Sequence, residues 1–180
     1  MEDEKELVLR AKNGDGAAFG ALYDNHLPAI YRFILLKVGG RKGEAEDLTH
    51  EVFLSAWKNI ERFEFQGFPF SSWLYRIARN AVIDHYRTAK KNVSLDNVPE
   101  DIVAERPETG DKIDIAIAFK SVQVHLAKLE PVYQDVLIMK FVEDLSNQEI
   151  AKALEKTEGA VRVIQHRALK QLKKYMEEEK

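Results

Sequence analysis

Phe63 to Arg87 reads FEFQGFPFSSWLYRIARNAVIDHYR, and in this stretch aromatic side chains alternate with arginines. A helix that begins at Ser72 and turns by about 100° per residue separates these side chains into two arcs. The inward arc holds Trp73, Leu74, Ile77, Ala78, Ala81 and Val82, and the outward arc holds Tyr75, Arg76, Arg79, Asn80, Tyr86 and Arg87. The stretch therefore predicts a loop followed by an amphipathic helix whose apolar arc packs on a core.

The outward arc has the residue types that bind a single nucleic-acid strand. Guanidinium groups bind phosphates, flat rings stack on bases, and an amide hydrogen-bonds to a base edge. A core helix with an ordinary solvated face would show a similar alternation. The stretch alone leaves both interpretations open.

The segments that precede this stretch have the period of amphipathic helices. Glu4 to Lys12 predicts a short helix, and Asp15 is placed to cap the next one. Pro28 predicts a kink or a restart in that second helix, because proline lacks the backbone N–H of a helical hydrogen bond. Glu44 to Ile60 predicts a further helix, in which apolar residues recur three and four positions apart.

A metal site is an alternative interpretation of the Glu44 to Ile60 segment. Asp47 and His50 have the i, i+3 spacing of two ligands on one helix face. A helical carboxylate site needs further Glu and His ligands from neighbouring helices, and no second such pair is evident. A solvated face or a partner-binding face explains the same residues.

Residues 92–112 lack helical periodicity and contain Pro99, Pro107 and Gly110 among an excess of acidic residues. Such a composition predicts a solvated, extended linker. Basic residues exceed acidic ones in the segments on either side, 76–91 and 156–174. This distribution indicates nucleic-acid binding more clearly than the net charge of -3 does.

The rear part of the chain has the signals of a helix-turn-helix. Pro131 stands at the first turn of a helix, and Ser146 with Glu149 forms a capping box for the next, short helix. Thr157 can cap the last helix, Glu158 to about Met176. Two helices joined by so tight a turn predict a helix-turn-helix at about 146–172.

The last helix places polar and basic residues on its outward arc. These residues are Arg162, Val163, His166, Arg167 and Lys170. In a recognition helix, the outward residues near the N-terminus contact base edges in the major groove, and an apolar one can contact a thymine methyl group. Alternatively, the basic residues only keep a terminal helix soluble.

The complete pattern predicts an all-α protein of two small helical domains, 1–91 and 113–180, joined by a flexible acidic linker, 92–112. No cysteine is present, which excludes disulfides and thiolate metal sites within the chain. No apolar run is long enough to span a membrane and no secretory signal opens the sequence, so we expect a cytoplasmic protein. No set of nucleophile, base and orienting group is evident, so we expect neither catalysis nor a cofactor.

Four segments, taken in order, resemble an extracytoplasmic-function (ECF, group IV) sigma factor, a small bacterial transcription initiation factor. RAKNGDGAAFGALYDNH resembles the opening helices of the family, and AEDLTHEVFLSAWKNI resembles its polymerase-binding helix. FSSWLYRIARNAVIDHYR resembles its promoter-melting helix. LEPVYQDVLIMKFVEDLSNQEIAKALEKTEGAVRVIQHRALKQL resembles its C-terminal helix-turn-helix.

The resemblance implies two functional regions in the first domain. The helix that holds Asp47, Leu48, Glu51 and Phe53 would bind the β′ clamp of core RNA polymerase. The loop 61–71 and the following helix would open the minus-ten promoter element and capture an extruded base. The residues implied for this second role are Phe65, Trp73, Tyr75, Arg76, Arg79, Asn80 and Arg87.

The resemblance also implies the partners of the second domain. It would bind the β flap of the polymerase and read the minus-thirty-five element of promoter DNA. The residues implied for that reading are Thr157, Arg162, Val163, His166, Arg167 and Lys170. An anti-sigma factor commonly holds such proteins inactive.

Two other functions remain possible on the sequence. A stand-alone repressor or activator would explain the helix-turn-helix, although such proteins usually dimerise to match two half-sites. A metal-dependent hydrolase would use Asp47, His50 and neighbouring carboxylates. Binding of core polymerase would distinguish a sigma factor from a stand-alone regulator. Metal analysis of the purified protein would distinguish it from a metal-dependent hydrolase.

Overall fold

A computed structural model describes residues 3–65, 67–92 and 122–178, with the side chains of residues 90–92 left out. Every regular element in these residues is helical, which confirms the all-α prediction. Residues 93–112 of the predicted linker lie outside the described ranges. Asn92, predicted as the first residue of the linker, is instead the last residue of a helix.

Four helices build the front half of the molecule: α1 (Glu4–Lys12), α2 (Gly16–Lys37), α3 (Lys42–Asn59) and α4 (Phe70–Asn92). A 3₁₀ turn, Ile60–Arg62, follows α3. Asp15 caps α2 as predicted, since its carboxylate accepts the N–H groups of Ala17 and Ala18 at 3.0 and 3.1 Å. The capped start of α2 orients it for packing against α1, α3 and α4.

Two predicted helix limits change in the structure. The predicted restart at Pro28 does not occur, and α2 continues through it. A proline removes one helical hydrogen bond, and the packing of α2 against α1, α3 and α4 offsets that loss. Helix α4 begins at Phe70, two residues earlier than predicted, and extends past Thr88, where the sequence loses its apolar period.

In the rear half, the described residues 122–178 form four helices: α5 (122–127), α6 (Pro131–Leu137), α7 (Asn147–Ala153) and α8 (Glu158–Glu178). A π-helical segment, Ile138–Val142, continues α6. The capping box of α7 is confirmed: Glu149 N–H donates to Ser146 Oγ at 3.2 Å, and Ser146 N–H donates to Glu149 Oε2 at 2.8 Å. Helices α7 and α8 are the predicted helix-turn-helix.

The turn between α7 and α8 forms without glycine. Glu155 has a φ of +53°, in the left-handed region that usually favours glycine. After it, Thr157 Oγ1 accepts the N–H of Ala160 at 3.2 Å and thereby caps α8, as predicted. The left-handed residue turns the chain sharply enough for α8 to pack against both α7 and α6.

The two halves are in direct contact. Helix α7 packs against α4, and the π-helical segment contacts α2. The predicted promoter-melting helix therefore lies against the first helix of the helix-turn-helix. This contact determines which of its side chains are accessible.

The start of α4 is held by a carboxylate from α1. Glu4 Oε1 accepts the backbone N–H of Phe70 at 3.2 Å, and Glu4 Oε2 lies 2.9 Å from His26 Nε2. The hydrogen bond with His26 lowers the pKa of Glu4, and the attraction of His26 and the Phe70 N–H also lower it, while burial opposes them. A free N–H at the start of α4 is thereby paired.

We expect Glu4→Gln to reduce the dependence of stability on acid pH. Because the folded pKa of Glu4 lies below its ordinary value of 4.5, its contribution is complete above that value and is lost as pH falls through the folded pKa. The expected loss is below about 1 kcal/mol, since the carboxylate is partly exposed. Urea unfolding at pH values from 3 to about 7 measures it. Glu6→Gln, an exposed glutamate of the same helix, is the control, and equal pH profiles for both variants would contradict the assignment.

Candidate nucleic-acid interface

A small pocket lies where the loop after α3 meets the start of α4. Its volume is about 140 Å³, and it is lined by Arg62, Phe63, Glu64, Phe68, Pro69, Ser72, Trp73, Arg76 and Lys152. We call it the loop pocket. Lys152, which belongs to α7, lies with its Nζ 5.0 Å from the centre of the Phe68 ring. The pocket combines basic groups with aromatic walls, which suits a flat base next to a phosphate.

Aromatic packing supports the loop pocket from behind. Phe63 contacts Phe65 and Phe70 edge-on, with ring centres 4.8 and 5.2 Å apart, and lies 5.3 Å from Trp73. Lys12 Nζ donates to the carbonyl oxygen of Phe63 at 2.7 Å, which ties the loop to α1. Phe65 and Trp73, both predicted DNA contacts, are half-buried in this cluster, and Trp73 also lines the pocket.

The outward position predicted for Tyr75 is wrong. Its side chain is only 2% exposed and packs edge-on against Phe33, with ring centres 5.4 Å apart. Burial raises the pKa of Tyr75, and the negative charge of Glu143 in the rear half raises it further. A helical wheel cannot foresee this, because Tyr75 is enclosed partly by residues that are distant in sequence.

Two of the three arginines predicted for strand binding contact carboxylates of the rear half. Arg76 Nη1 donates to Glu155 Oε1 at 2.9 Å, and Arg79 Nε donates to Asp135 Oδ2 at 2.8 Å. Arg87 is exposed, and its Nη2 lies 3.1 Å from Asp84 Oδ1 on the same helix. The structure therefore brings Arg76 to the loop pocket and turns Arg79 toward the rear half.

Asn80 is exposed but belongs to a different surface. It lines an acidic groove of about 770 Å³ between α3 and α4. The other side chains of this groove are Glu44, Asp47, Leu48, Glu51, Val52, Ser55, Ile77, Ala81, Asp84, His85, Thr88 and Ala89. Asn80 is one turn along α4 from Arg76, so a strand that leaves the loop pocket along α4 would reach it.

Helix α3 divides the four residues predicted to bind the polymerase. Asp47 and Glu51 are exposed, whereas Leu48 and Phe53 are buried in the core, where Phe53 packs against Tyr23 with ring centres 4.7 Å apart. Leu48 and Phe53 therefore support α3 from beneath, and each reaches only the floor of a neighbouring groove. This corrects their expected place on the binding face.

The outer surface of α3 carries an apolar patch that the sequence analysis missed. Leu54 is 45% exposed, and it lines a shallow groove of about 290 Å³ together with Gly16, Phe19, Tyr23, His50, Phe53 and Trp57. Leu54 and Trp57 do not fit the three- and four-residue spacing of the buried apolar residues of this helix. That departure is the feature of the sequence from which an exposed apolar patch could have been predicted. Exposed apolar side chains in contact with one another are typical of a protein-binding surface.

The predicted recognition residues are all exposed on α8. Arg162, Val163, His166, Arg167 and Lys170 face solvent, while Val161 and Ala168 pack inward. Val163 is 49% exposed, which is unusual for a valine on a packed helix and fits the expected contact with an apolar group. Arg162 lies 3.3 Å from Glu158 on the same helix, a pair that is exposed and weak.

The rear half also carries an apolar groove of about 500 Å³ that the sequence analysis did not identify. Phe141 and Leu169 are exposed beside it. Its lining consists of Leu36, Val122, Gln123, Leu126, Leu137, Ile138, Phe141, Val142, Leu169 and Leu172. Leu36 belongs to the front half, so the contact of the two halves completes the groove.

The described residues also bear on a metal site and on a membrane-spanning helix. No group of three or more His, Cys, Asp or Glu side chains in those residues is arranged to hold a metal ion. Within the same residues, no helix is both long enough and apolar enough to cross a membrane.

Comparison with known proteins identifies relatives of both halves. The family model described as Sigma-70 region 2 matches residues 22–92, and the model described as Sigma-70, region 4 matches residues 120–172. The ECF RNA polymerase sigma factor SigW of Bacillus subtilis is 31% identical over 181 residues, which cover 96% of each chain. The ECF RNA polymerase sigma factor BldN of Streptomyces coelicolor is 36% identical over 93% of this chain, which spans 63% of the length of BldN.

Solved structures share the fold. CnrH in complex with the cytosolic domain of CnrY has a TM-score of 0.74 at 22% identity, with 98% of this chain and 99% of that chain covered. The sigma factor RpoE of Bartonella quintana, in complex with the anti-sigma factor NepR, has a TM-score of 0.73 at 22% identity and covers 88% of this chain and 96% of that one.

Proposed function

This chain belongs to the ECF RNA polymerase sigma factors, which are transcription initiation factors and not enzymes, and we propose how its surfaces divide the work of initiation. Residues 1–91 bind the polymerase clamp and open the minus-ten element. Residues 113–180 bind the polymerase flap and read the minus-thirty-five element. The observation that carries this proposal is that the exposed basic residues of α8 and the basic, aromatic-walled pocket at the start of α4 form two separate surfaces.

The loop pocket is the proposed site of the extruded minus-ten base. A base that leaves the duplex loses pairing and stacking, and a protein must replace both. Phe63, Phe68 and Trp73 supply apolar walls, and Arg76 supplies a guanidinium group for the adjacent phosphate. Asn80, one turn further along α4, is then placed to hydrogen-bond to a neighbouring base.

The outer surface of α3 is the proposed contact with the β′ clamp. Its exposed residues combine two charges, Asp47 and Glu51, with the apolar Leu54 and the half-buried Trp57. Apolar side chains at the centre and charges at the edge are the usual composition of a protein interface. The apolar groove of the rear half, beside Phe141, is the proposed contact with the β flap.

Helix α8 is the proposed reader of the minus-thirty-five duplex. Arg162 and Arg167 bind guanine or phosphate, His166 donates to an acceptor, and Val163 contacts a thymine methyl group. Thr157 at the start of α8 and Lys170 further along it bind the flanking phosphates.

The proposed compartment is the cytoplasm, where bacterial polymerase transcribes. An anti-sigma factor is a proposed further partner. Two proteins that share the fold support this partner: CnrH is bound to the cytosolic domain of CnrY, and RpoE is bound to the anti-sigma factor NepR.

We expect specific promoter binding only when the chain and core RNA polymerase are both present. A single helix-turn-helix makes few phosphate contacts, so its affinity for duplex is low and falls with salt. Two modest sites held together by the polymerase gain from a raised effective concentration. Gel-shift titration of promoter fragments with chain alone, core alone and both measures the binding, and run-off transcription on genomic fragments identifies the promoters that are used.

A variant with Arg162→Ala and Arg167→Ala is the matched control for this experiment. It should still bind core polymerase, since its front half is unchanged, but it should lose promoter selection. Comparable promoter affinity of the wild-type chain with and without core would contradict the proposed function and favour a stand-alone regulator.

A further inference from the structure

The loop that forms one wall of the loop pocket is held at both of its ends by side chains of α1. At the beginning of the loop, Lys12 Nζ donates to the carbonyl oxygen of Phe63 at 2.7 Å. At its end, Glu4 Oε1 accepts the backbone N–H of Phe70, the first residue of α4, at 3.2 Å. The partners in these bonds are 51 and 66 positions apart in the sequence, so both are tertiary contacts and not parts of a local turn.

The Lys12 contact acts on a residue that builds the pocket. Phe63 is 6% exposed and lines the loop pocket. Its ring lies at the centre of the aromatic cluster, 4.8 to 5.3 Å from the ring centres of Phe65, Phe70 and Trp73. A hydrogen bond from an ammonium group is charge-assisted and is stronger than one between neutral groups. Lys12 therefore fixes the backbone of the residue on which the aromatic wall depends.

The Glu4 contact acts on the first turn of α4, which carries a polar group of the pocket. Ser72 and Trp73 line the pocket two and three residues after Phe70. Ser72 is 1% exposed, and its Oγ has no hydrogen-bond partner among the described residues. A buried hydroxyl without a partner is costly, so this atom points to a ligand that pairs with it. The ligand can do so only if the first turn of α4 is placed to within the narrow distance range of a hydrogen bond.

Helix α1 is itself firmly placed. Its buried residues, Leu7, Val8 and Ala11, pack on the core. Glu4 Oε2 lies 2.9 Å from His26 Nε2 of α2, and the His26 ring packs beside Phe70 with ring centres 5.7 Å apart. Glu4 and Lys12 stand at opposite ends of α1, about 12 Å apart along its axis. One helix to which no contact with DNA or polymerase is assigned thus supports both ends of the loop.

We propose that Lys12 and Glu4 are positioning residues for strand capture: they fix the two ends of the loop, so that the pocket has its shape before the extruded base arrives. This inference rests on the proposed function of the loop pocket. A preformed pocket loses less conformational entropy on binding than a loop that must first become ordered. Loss of either contact therefore slows strand opening and leaves duplex binding through α8 unchanged.

The first test measures promoter opening by the full-length chain with core polymerase, through the permanganate reactivity of unpaired thymines. Lys12→Met keeps an unbranched apolar side chain and removes the donor. We expect it to slow opening roughly tenfold, the factor that corresponds to the loss of one hydrogen bond from a charged group at a half-buried site. Glu4→Ala, which removes the acceptor at the other end of the loop, should act in the same direction.

Two further variants are the controls for this test. Lys12→Arg keeps a cationic donor at the same position, so most of the opening rate should return. Lys5→Met removes an exposed lysine from the same helix and should open promoters at the wild-type rate. Closed complexes, measured by gel shift before opening, should form equally well with Lys12→Met and with Lys5→Met.

The second test separates a shaped pocket from a fold that is merely more stable. The probes are single-stranded minus-ten oligonucleotides of a promoter identified by run-off transcription, each with one base removed, and they are bound by the chain with core polymerase. Wild type should lose affinity sharply at one position, because the missing base can no longer stack in the pocket. In Lys12→Met this loss should shrink, since the variant already binds that base poorly. A general loss of stability would instead weaken the binding of all probes equally.

Slower opening by Lys12→Met, recovery in Lys12→Arg and a smaller loss at the sensitive position together support the inference. A wild-type opening rate in Lys12→Met would overturn it and leave the pocket as the site of the extruded base. Slower opening with an undiminished loss at the sensitive position would also overturn it, because Lys12 would then act on stability alone. If wild type itself showed no sensitive position, the proposed function of the pocket would fail, and the inference with it.

Discussion

Replacing Asp135 by alanine is expected to lower the free energy of unfolding by about 3–5 kcal/mol, which is the usual cost of removing one partner from a buried ion pair. The carboxylate is 1% exposed and forms ion pairs with both Lys37 and Arg79. Without it, Lys37 would remain a buried charge with only the Pro131 carbonyl as a partner that offsets it. Urea unfolding followed by circular dichroism, with linear extrapolation to water, measures the loss.

Asp84→Ala is the control for this prediction. Asp84 also pairs with an arginine, Arg87, but both side chains are exposed, so the expected change is below about 1 kcal/mol. If the two variants lost equal stability, Asp135 would not be the central charge of the contact. A triple variant with Lys37→Met, Asp135→Leu and Arg79→Leu is expected to recover much of the loss, because no buried charge remains unpaired.

The second large effect concerns strand opening. In the complex with core polymerase, Asn80→Ala and Arg76→Ala together are expected to slow promoter opening by roughly thirtyfold to ten-thousandfold. Each lost contact to a base or phosphate is worth about 1–3 kcal/mol, and about 1.4 kcal/mol corresponds to one factor of ten. Permanganate reactivity of unpaired thymines measures the rate of opening.

Lys58→Ala, an exposed change on α3, controls for loss of charge in the front half. Duplex binding through α8 should persist in the double variant, so closed complexes should still form. An unchanged opening rate would refute the assignment of the loop pocket and α4 to the separated strand. That result would not bear on the contact between the halves, so the stability prediction for Asp135 would still stand.

Local patterns were sufficient for most of the secondary structure. The capping box of Ser146 and Glu149, the Thr157 cap and the Asp15 cap were each predicted from residues a few positions apart, and each is present. The exposed arc of α8 was predicted equally well, because one side of that helix has no neighbour that would cover it. The restart at Pro28 was wrong because packing offset a local weakness of the helix.

The candidate site was predicted less completely. Arg76 and Trp73 do line the loop pocket, but Tyr75, on the same predicted arc as Arg76, is buried between the halves. The residues predicted to bind the polymerase came from the resemblance alone, and two of them, Leu48 and Phe53, lie in the core. The apolar patch around Leu54 was missed, although Leu54 and Trp57 depart from the apolar spacing of α3 and therefore could have been predicted to lie outside the core.

The amino-acid sequence by itself determined the helices, their caps, the helix-turn-helix and the family of this protein. These properties depend on residues within one or two helical turns of each other, or on motifs in a recognisable order. Only the tertiary structure decided that Arg79 and Lys37 bind one carboxylate and that Glu155 binds Arg76. The partners in these pairs are separated by 56 to 98 positions or so along the chain, and only folding brings such distant charges within hydrogen-bonding distance.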